Sequence, residues 1–364
     1  MATFTNALRG SIGQLRGSEE GLGVVSLVDG RHYRPRREVV RQLVQGDGTS
    51  MRRAVAALNS HEVVLVQHEY GIYGGPDGDE VLQLLSRLEV PAVVTLHTVL
   101  GNPTRRQRRI LETIVEMAEQ AIVMSDTGLD RLHKRYDVDP GKSRVIPHGA
   151  RPGMSGPRHT RGARPVVLTW GLIGPGKGLE SALEAFADLA DLSPRPRYRI
   201  LGQTHPKVQA AQGNTYRESL VSQARALGLE GIVEFDGRYL DVDSLGSAIR
   251  QADVVLLPYE STEQVTSGVL VEAVAAGKPV VATAFPHAVE MLSSGAGVVV
   301  PHSDSGALAG ALRRLLVDPG LASRMAAMAA AIGSKLHWPA VAEAYEETLA
   351  DLAAWSNPLA VSIA

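Results

Sequence analysis

From residue 22 onward, short apolar runs alternate with stretches long enough to form helices. In the first half the runs are GVVSLV (23–28), VVLVQ (63–67), AVVTLH (92–97), AIVMS (121–125) and RVIP (144–147). They are rich in β-branched residues and do not alternate apolar with polar, which is the pattern of strands buried on both faces. A helical-length segment separates each run from the next, so the strands are predicted to be parallel, in an α/β fold. Residues 148–164 break the pattern with Gly, Pro and Arg and almost no large apolar residue. A second series follows: PVVLTW (165–170), YRILG (198–202), VEFDG (233–237), VVLLP (254–258), PVVAT (279–283) and GVVVP (297–301). The segments GLESALEAFADLA and SGALAGALRRLLVD between them read as helices. Residues 338–355 carry apolar positions at i, i+3, i+4 spacing and predict a long amphipathic helix.

The fold class that follows is α/β with two Rossmann-like, doubly wound domains. They are predicted at 1–150 and 165–335, with a linker at 151–164. The helix of 336–364 is expected to pack back towards the first domain. A length of 364 residues suits two domains of ~150–200 residues each. Two such domains are expected to face a central cleft, with ligands held by loops at the carboxyl ends of the strands.

Composition narrows the function. No apolar run approaches the ~20 residues a bilayer span needs, and no signal-peptide pattern opens the chain. Cysteine is absent, which excludes disulfides and thiolate catalysis and fits a cytoplasmic setting. Aromatic residues make up 4% and net charge is −2, so nucleic acid is not an expected partner. Two arginine clusters stand out, Arg31, Arg34, Arg36 and Arg37, then Arg105, Arg106, Arg108 and Arg109. They read either as solvated faces or as peripheral contacts with an anionic surface at the inner membrane face or with a phosphorylated acceptor.

Chemistry is sought in the loops. Glu263-Gln264-Val265-Thr266-Ser267-Gly268-Val269-Leu270-Val271-Glu272-Ala273 follows a strand and enters a helix. Thr266, Ser267 and Gly268 at a helix start offer backbone N–H groups and the positive dipole end, a combination that binds phosphate or sugar hydroxyls. Glu272 on that helix can accept from a vicinal diol; the plainer reading is a capped helix with a solvent-facing Glu. A second loop, Thr169-Trp170-Gly171-Leu172-Ile173-Gly174-Pro175-Gly176-Lys177-Gly178, is glycine-rich and carries one lysine. It reads as a simple turn or as a phosphate-approaching loop. It is not a P-loop, because Gly178 occupies the Ser/Thr slot. Asp241-Val242-Asp243 spells a metal-binding Asp-x-Asp, but it opens a helix, and Asp243 is expected to serve as its N-cap. No metal site is predicted.

Residues 253–301 resemble the donor-binding half of the retaining glycosyltransferases of family 4, which have the GT-B fold. That family carries two Glu residues separated by seven positions, then a Gly-Lys-Pro-Val-Val strand. Glu272 matches the second Glu, which the resemblance implies holds the nucleotide ribose. The first falls on Gln264, with Glu263 one residue too early; Gln264 and the backbone of residues 267–269 are thereby implied to face the donor sugar and diphosphate. Lys177 matches a diphosphate-binding cation, in a loop where Gly174 lets the backbone approach. The family's Arg position is Leu172, and Arg238 is the expected replacement. Gly202, in LGQTHP, takes the post-strand position that meets the nucleotide base.

In the first half, His97 resembles the family's strand-end His beside the reacting sugar. Gln67-His68-Glu69-Tyr70-Gly71-Ile72-Tyr73-Gly74-Gly75 is similar to a segment of one branch of these transferases. His68, Glu69, Tyr70 and Gly74 are thus implied on the acceptor side, together with Ser125 and His148. The alternative for this loop is an ordered turn packed by its tyrosines. Relatives place a strand and a glycine-bearing loop before the helix that Ala2-Thr3-Phe4-Thr5 opens here, so the first strand is expected to be missing, through a late chain start or a trimmed first domain.

The resemblance implies a metal-independent hexosyltransferase with His97, Lys177 and Gln264 at the reaction centre. A nucleoside diphosphate sugar would be co-substrate, with no other cofactor. The acceptor would be a glycan, lipid-linked or small molecule. The His-Glu-Tyr-Gly and Thr-His-Pro segments are similar to transferases of mannoside metabolism and point to mannose from GDP, with UDP-sugars as the alternative. Two rivals stay open: a sugar-nucleotide epimerase on the same scaffold, and a non-catalytic GT-B-like partner subunit, motivated by Leu172, Gln264 and the missing strand.

Overall fold

The structure, a computed structural model, describes residues 1–30, 36–153 and 164–356. Arg31 and Arg34 of the first arginine cluster, residues 154–163 of the expected linker and residues 357–364 lie outside the described residues. The chain divides into two compact units, one of Met1–Gly149 with Trp338–Ala364, the other of Ala150–His337.

The first unit runs α1 (Ala2–Arg16), β1 (Val24–Val28), β2 (Val39–Val44), α2 (Gly48–Leu58), β3 (Val64–His68), α3 (Glu80–Leu85), β4 (Ala92–Leu96), α4 (Arg105–Met117), β5 (Gln120–Val123), α5 (Asp126–Arg135) and β6 (Ser143–Val145). All strand pairs are parallel. The strands lie in two sheets rather than one, a β1-β2 pair and a four-stranded sheet in the order β3-β4-β5-β6. β2 has no counterpart among the predicted strands. Arg41 and Gln42 interrupt its apolar run, and within it only Leu43 is fully buried, so it lacks the doubly buried signature.

The second unit runs β7 (Val166–Trp170), α6 (Leu179–Ala187), β8 (Arg197–Leu201), α7 (Pro206–Gln212), α8 (Thr215–Ala226), β9 (Val233–Asp236), α9 (Val242–Gln251), β10 (Val254–Leu257), α10 (Gly268–Ala275), β11 (Val280–Thr283), α11 (Pro286–Leu292), β12 (Gly297–Val300), α12 (Ser305–Val317) and α13 (Pro319–Gly333). Its six parallel strands lie in the order β12-β11-β10-β7-β8-β9. Alternate residues of each central strand feed opposite layers. Leu168, Val255 and Leu257 join one core cluster, while Val167, Val254 and Leu256 join the other. The order reverses between β7 and β10. The carboxyl ends of those two strands therefore form the switch point where open α/β sheets bind ligands.

Local signals set the helix ends. Ser267 caps α10 by accepting from the Leu270 N–H, and Gly277, at φ 66°, follows its end. The Asp-x-Asp segment caps α9 through Asp241, which accepts from the Ser244 N–H. This corrects the expectation for Asp243, which lies two residues too far in because the helix already starts at Val242.

The last helix, α14 (Trp338–Ser356), belongs to the first unit. Trp338, Val341 and Tyr345 share a buried cluster with Phe4, Leu8 and Ile12 of α1. Each such side chain contributes roughly 1.5–3 kcal/mol on burial. Gly149 permits the join, since a Cβ there would stand 2.2 Å from the Trp338 ring. No single helix among the described residues is long and apolar enough to cross a membrane.

Candidate functional site

The second unit places Lys177, Ser267 and Glu272 at the β7–β10 switch point. Lys177 ends the glycine-rich loop after β7, and its ammonium lies 3.9 Å from the centroid of the Tyr259 ring. Tyr259, just past β10, is 2% exposed. The loop is held against the chain after β10: the Glu260 N–H donates to the Gly176 carbonyl at 3.0 Å. Gly178, at φ 63°, comes so near Pro258 that a Cβ would stand 1.7 Å from its carbonyl oxygen. Only glycine fits there, which explains why the loop tolerates no bulk beside its lysine. Burial pushes the Lys177 pKa down, so this ammonium is under-solvated and gains from an anion.

Glu272 reaches the end of β7. Its carboxylate accepts from the Trp170 indole N–H at 3.1 Å, and Trp170 ends β7. Burial raises its pKa, while the Trp170 bond and the charge of Arg151 act in the other direction. The solvent-facing alternative for Glu272 is excluded by this geometry. Its charge also reaches the Tyr259 phenol, beside which the Ser267 side chain sits. Lys177, Ser267 and Glu272 thus surround one aromatic ring, and a tyrosine after an apolar strand carries no local sequence signal of that role.

The start of α10 presents N–H groups at this place. Gly171, at φ 124°, lies against Val269, to whose side chain its Cβ would measure 3.6 Å. As first-turn residues, Gly268 and Val269 have no intrahelical acceptor for their N–H groups. The Ser267 N–H is different, because it already donates to His287 Nδ1 at 2.9 Å. The backbone available to a ligand is therefore narrower than residues 267–269. Gln264 folds onto its own loop, its side-chain amide donating to the Thr266 carbonyl at 3.1 Å, and Glu263 precedes it half-buried. Gly174 lies 3.3 Å, measured from a Cβ position, from Val208, joining the β7 loop to the chain after β8. Gly202, at φ 135°, packs backbone to backbone against Gly171.

Arg238 is placed elsewhere. It lies past β9, the edge strand, 81% exposed, and grips Asp236 with its guanidinium at 2.7 Å. That pair holds the Asp236 carboxyl down at about 2, and no contact joins Arg238 to Lys177, Ser267 or Glu272. The expected replacement for the cation lost at Leu172 is not brought to the switch point. Leu172 itself is 47% exposed.

In the first unit, predicted residues fall at the carboxyl ends of successive strands. The His97 N–H donates to the His68 carbonyl at 2.9 Å, and His97 Nε2 meets Gln67 Oε1 at 2.7 Å. A carbonyl oxygen only accepts, so Nε2 carries the proton. The Phe4 ring packs edge-on to His97 at 5.0 Å and to His148 at 5.1 Å. Burial is the main cause that lowers His68 to about 4, His97 to about 3 and His148 to about 4. All three are neutral near pH 7, suited to hydrogen bonding rather than to carrying charge. Both ring nitrogens of His68 are buried without a partner.

The other nominated side chains turn inward. The Glu69 carboxylate accepts from the Thr98 hydroxyl at 2.6 Å and the Tyr70 N–H at 2.8 Å. The Tyr70 hydroxyl donates to the Gln107 carbonyl at 3.2 Å, and the Gly74 N–H donates to Glu80 at 3.1 Å. Ser125 caps α5 through the Gly128 N–H. This loop is an ordered turn packed by its own polar groups, and its one histidine, His68, is buried with both ring nitrogens unpartnered. Of the arginine clusters, Arg106 is paired with Asp79 and Arg108 lies over Tyr136.

Comparison with known proteins adds a second line. The profile of "Glycosyl transferases group 1" matches residues 157–331, and that of "Glycosyltransferase Family 4" matches residues 17–152. A D-inositol 3-phosphate glycosyltransferase of Corynebacterium jeikeium is 30% identical over 94% of this chain and 86% of its own length. One from Kineococcus radiotolerans is 29% identical over 74% of this chain and 68% of its own length. Among solved structures, Anabaena HepE in complex with UDP and glucose superposes with TM-score 0.70 at 19% identity, covering 86% of this chain and 87% of that one.

Proposed function

This chain belongs to the glycosyltransferases of group 1 and family 4, and from that premise we propose that it transfers a hexose to an acceptor hydroxyl with retention of anomeric configuration. It is an enzyme of GT-B fold that draws on a nucleotide-sugar donor. One observation carries the finer reading: Lys177, Ser267 and Glu272 converge on Tyr259 at the strand-order reversal. In this reading Lys177 and the N–H groups of Gly268 and Val269 neutralise the leaving diphosphate. That is fixed electrostatic stabilisation, with no metal or further cofactor. Glu272 accepts from the ribose diol. Gln264 keeps an amide oxygen for a sugar hydroxyl, and Gly174 and Gly202 let backbone approach the nucleotide. His97, neutral and held by Gln67, hydrogen-bonds the transferred sugar. His68 and His148 lie on the acceptor side.

The relatives' name makes D-inositol 3-phosphate the first acceptor to try. GDP-mannose and UDP-sugars are the two donor classes to separate. The test is product analysis by NMR with each donor, with and without acceptor. Acceptor-dependent release of nucleoside diphosphate and an unchanged anomeric configuration are expected. A changed sugar in the absence of acceptor identifies an epimerase, inversion removes the retaining assignment, and nucleotide binding without turnover identifies a partner subunit.

A further inference from the structure

The donor loop between β10 and α10 has no strand or helix of its own, so something else must hold its shape. Two residues after β11 do this. Phe285 stacks on Tyr259, with ring centroids 5.2 Å apart and planes 29° apart. His287, 1% exposed, grips the loop twice: its N–H donates to the Gln264 carbonyl at 3.2 Å, and its Nδ1 accepts the Ser267 N–H at 2.9 Å. We propose that His287 is the positioning residue of the donor site, fixing the entry of α10 so that the Gly268 and Val269 N–H groups point at the diphosphate.

The Ser267 N–H is buried and needs an acceptor. If His287 withdraws, that N–H must find another partner by rotating the Thr266–Ser267 peptide at the entry of α10. The two N–H groups that follow then change their aim, because they belong to the same helical turn. A ring nitrogen that accepts is unprotonated, so His287 is required as the neutral tautomer with its proton on Nε2. A leucine of similar bulk fills the space but accepts nothing. Asparagine puts an amide oxygen close to the place of Nδ1 and does accept. The contrast between the two separates positioning from simple packing.

The proposal rests on the donor-binding reading above, and the experiment keeps the two apart. Affinities of the full chain for UDP and GDP are measured by calorimetry for wild type, H287L and H287N, with melting temperatures alongside. The leucine variant is expected to weaken binding of the preferred nucleotide at least tenfold, and the asparagine variant to remain within about threefold of wild type. A folded leucine variant that binds like wild type overturns the proposal, and so does an asparagine variant as weak as the leucine one. If wild type binds neither nucleotide, the donor reading itself fails and takes this proposal with it. Ring 15N shifts of His287 in the wild-type protein give a reading that depends on no variant folding. An unprotonated, hydrogen-bonded Nδ1 is expected, and a proton on Nδ1 ends the assignment.

Discussion

At the scale of single residues, Glu272 and Lys177 are both held in less favourable solvation than water gives, which is how a binding site stores affinity. Burial raises the Glu272 pKa, so the folded chain holds its proton more tightly than the unfolded chain does. Below the ordinary carboxylate range both states are protonated and ionisation costs nothing. As pH rises through the raised folded value, the full penalty develops and then stays constant. Glu272→Gln keeps an oxygen for the Trp170 N–H and removes the charge. It is therefore expected to stabilise the protein by about 0.5–2 kcal/mol at neutral pH, with the gain vanishing at acid pH, while nucleoside diphosphate affinity falls. Calorimetric melts across pH check this, and a loss of neutral-pH stability would contradict it. Lys177→Ala is expected to weaken diphosphate binding at least tenfold, about 1.4 kcal/mol, with little change in melting temperature. The two residues were legible in sequence through the glycine loop and the helix entry. Tyr259 and His287 were not, because their roles come from strand order, which brings distant loops together without leaving any spacing signal.

At the scale of elements, close backbone approaches hold the loops after β7, β8 and β10. A Cβ on Gly202 would stand 1.9 Å from the Gly171 carbonyl oxygen, and one on Gly178 1.7 Å from that of Pro258. Gly202→Ala and Gly178→Ala are each expected to destabilise by roughly 2–4 kcal/mol, as backbone strain and overpacking do. Chemical denaturation measures the loss. Gly178→Ala should in addition depress nucleotide affinity more than Gly174→Ala, whose Cβ meets only side-chain atoms, Val208 at 3.3 Å and His205 at 3.6 Å. Equal affinities for the two variants would detach the Gly178 contact from Lys177 placement. In the first unit, Tyr345 of α14 reaches Thr95 in the middle of β4, with oxygens 3.1 Å apart and both residues buried. Tyr345→Phe leaves the Thr95 hydroxyl without that partner and is expected to cost about 1–3 kcal/mol. The strands around these contacts were readable because apolar β-branched runs need no context. β2 and the division into two sheets were not, since a half-exposed strand with Arg41 in its middle has no periodicity of its own.

At the scale of the molecule, each unit has its own buried clusters: Phe4, Leu8, Trp338 and Tyr345 in the first, the two layers around β7 and β10 in the second. The chain enters and leaves the second unit at one place, where the Ala150 N–H donates to the Leu336 carbonyl at 2.7 Å. A ligand held only by the second unit lowers the free energy of that unit's closed state by RT ln(1 + [L]/Kd), about 2.7 kcal/mol at a hundredfold excess over Kd. Amides that exchange through opening of the second unit should then slow by up to about a hundredfold on adding the preferred nucleoside diphosphate. The largest changes are expected in residues 171–178 and 259–272, where Gly268 and Val269 gain acceptors they lack within the helix. Amides of α1, β4 and α14 should keep their rates, because no donor-binding residue lies among them. Hydrogen exchange followed peptide by peptide decides the matter. Equal slowing in both units would mean that they open together, and slowing confined to the first would place the nucleotide on the wrong half of the chain.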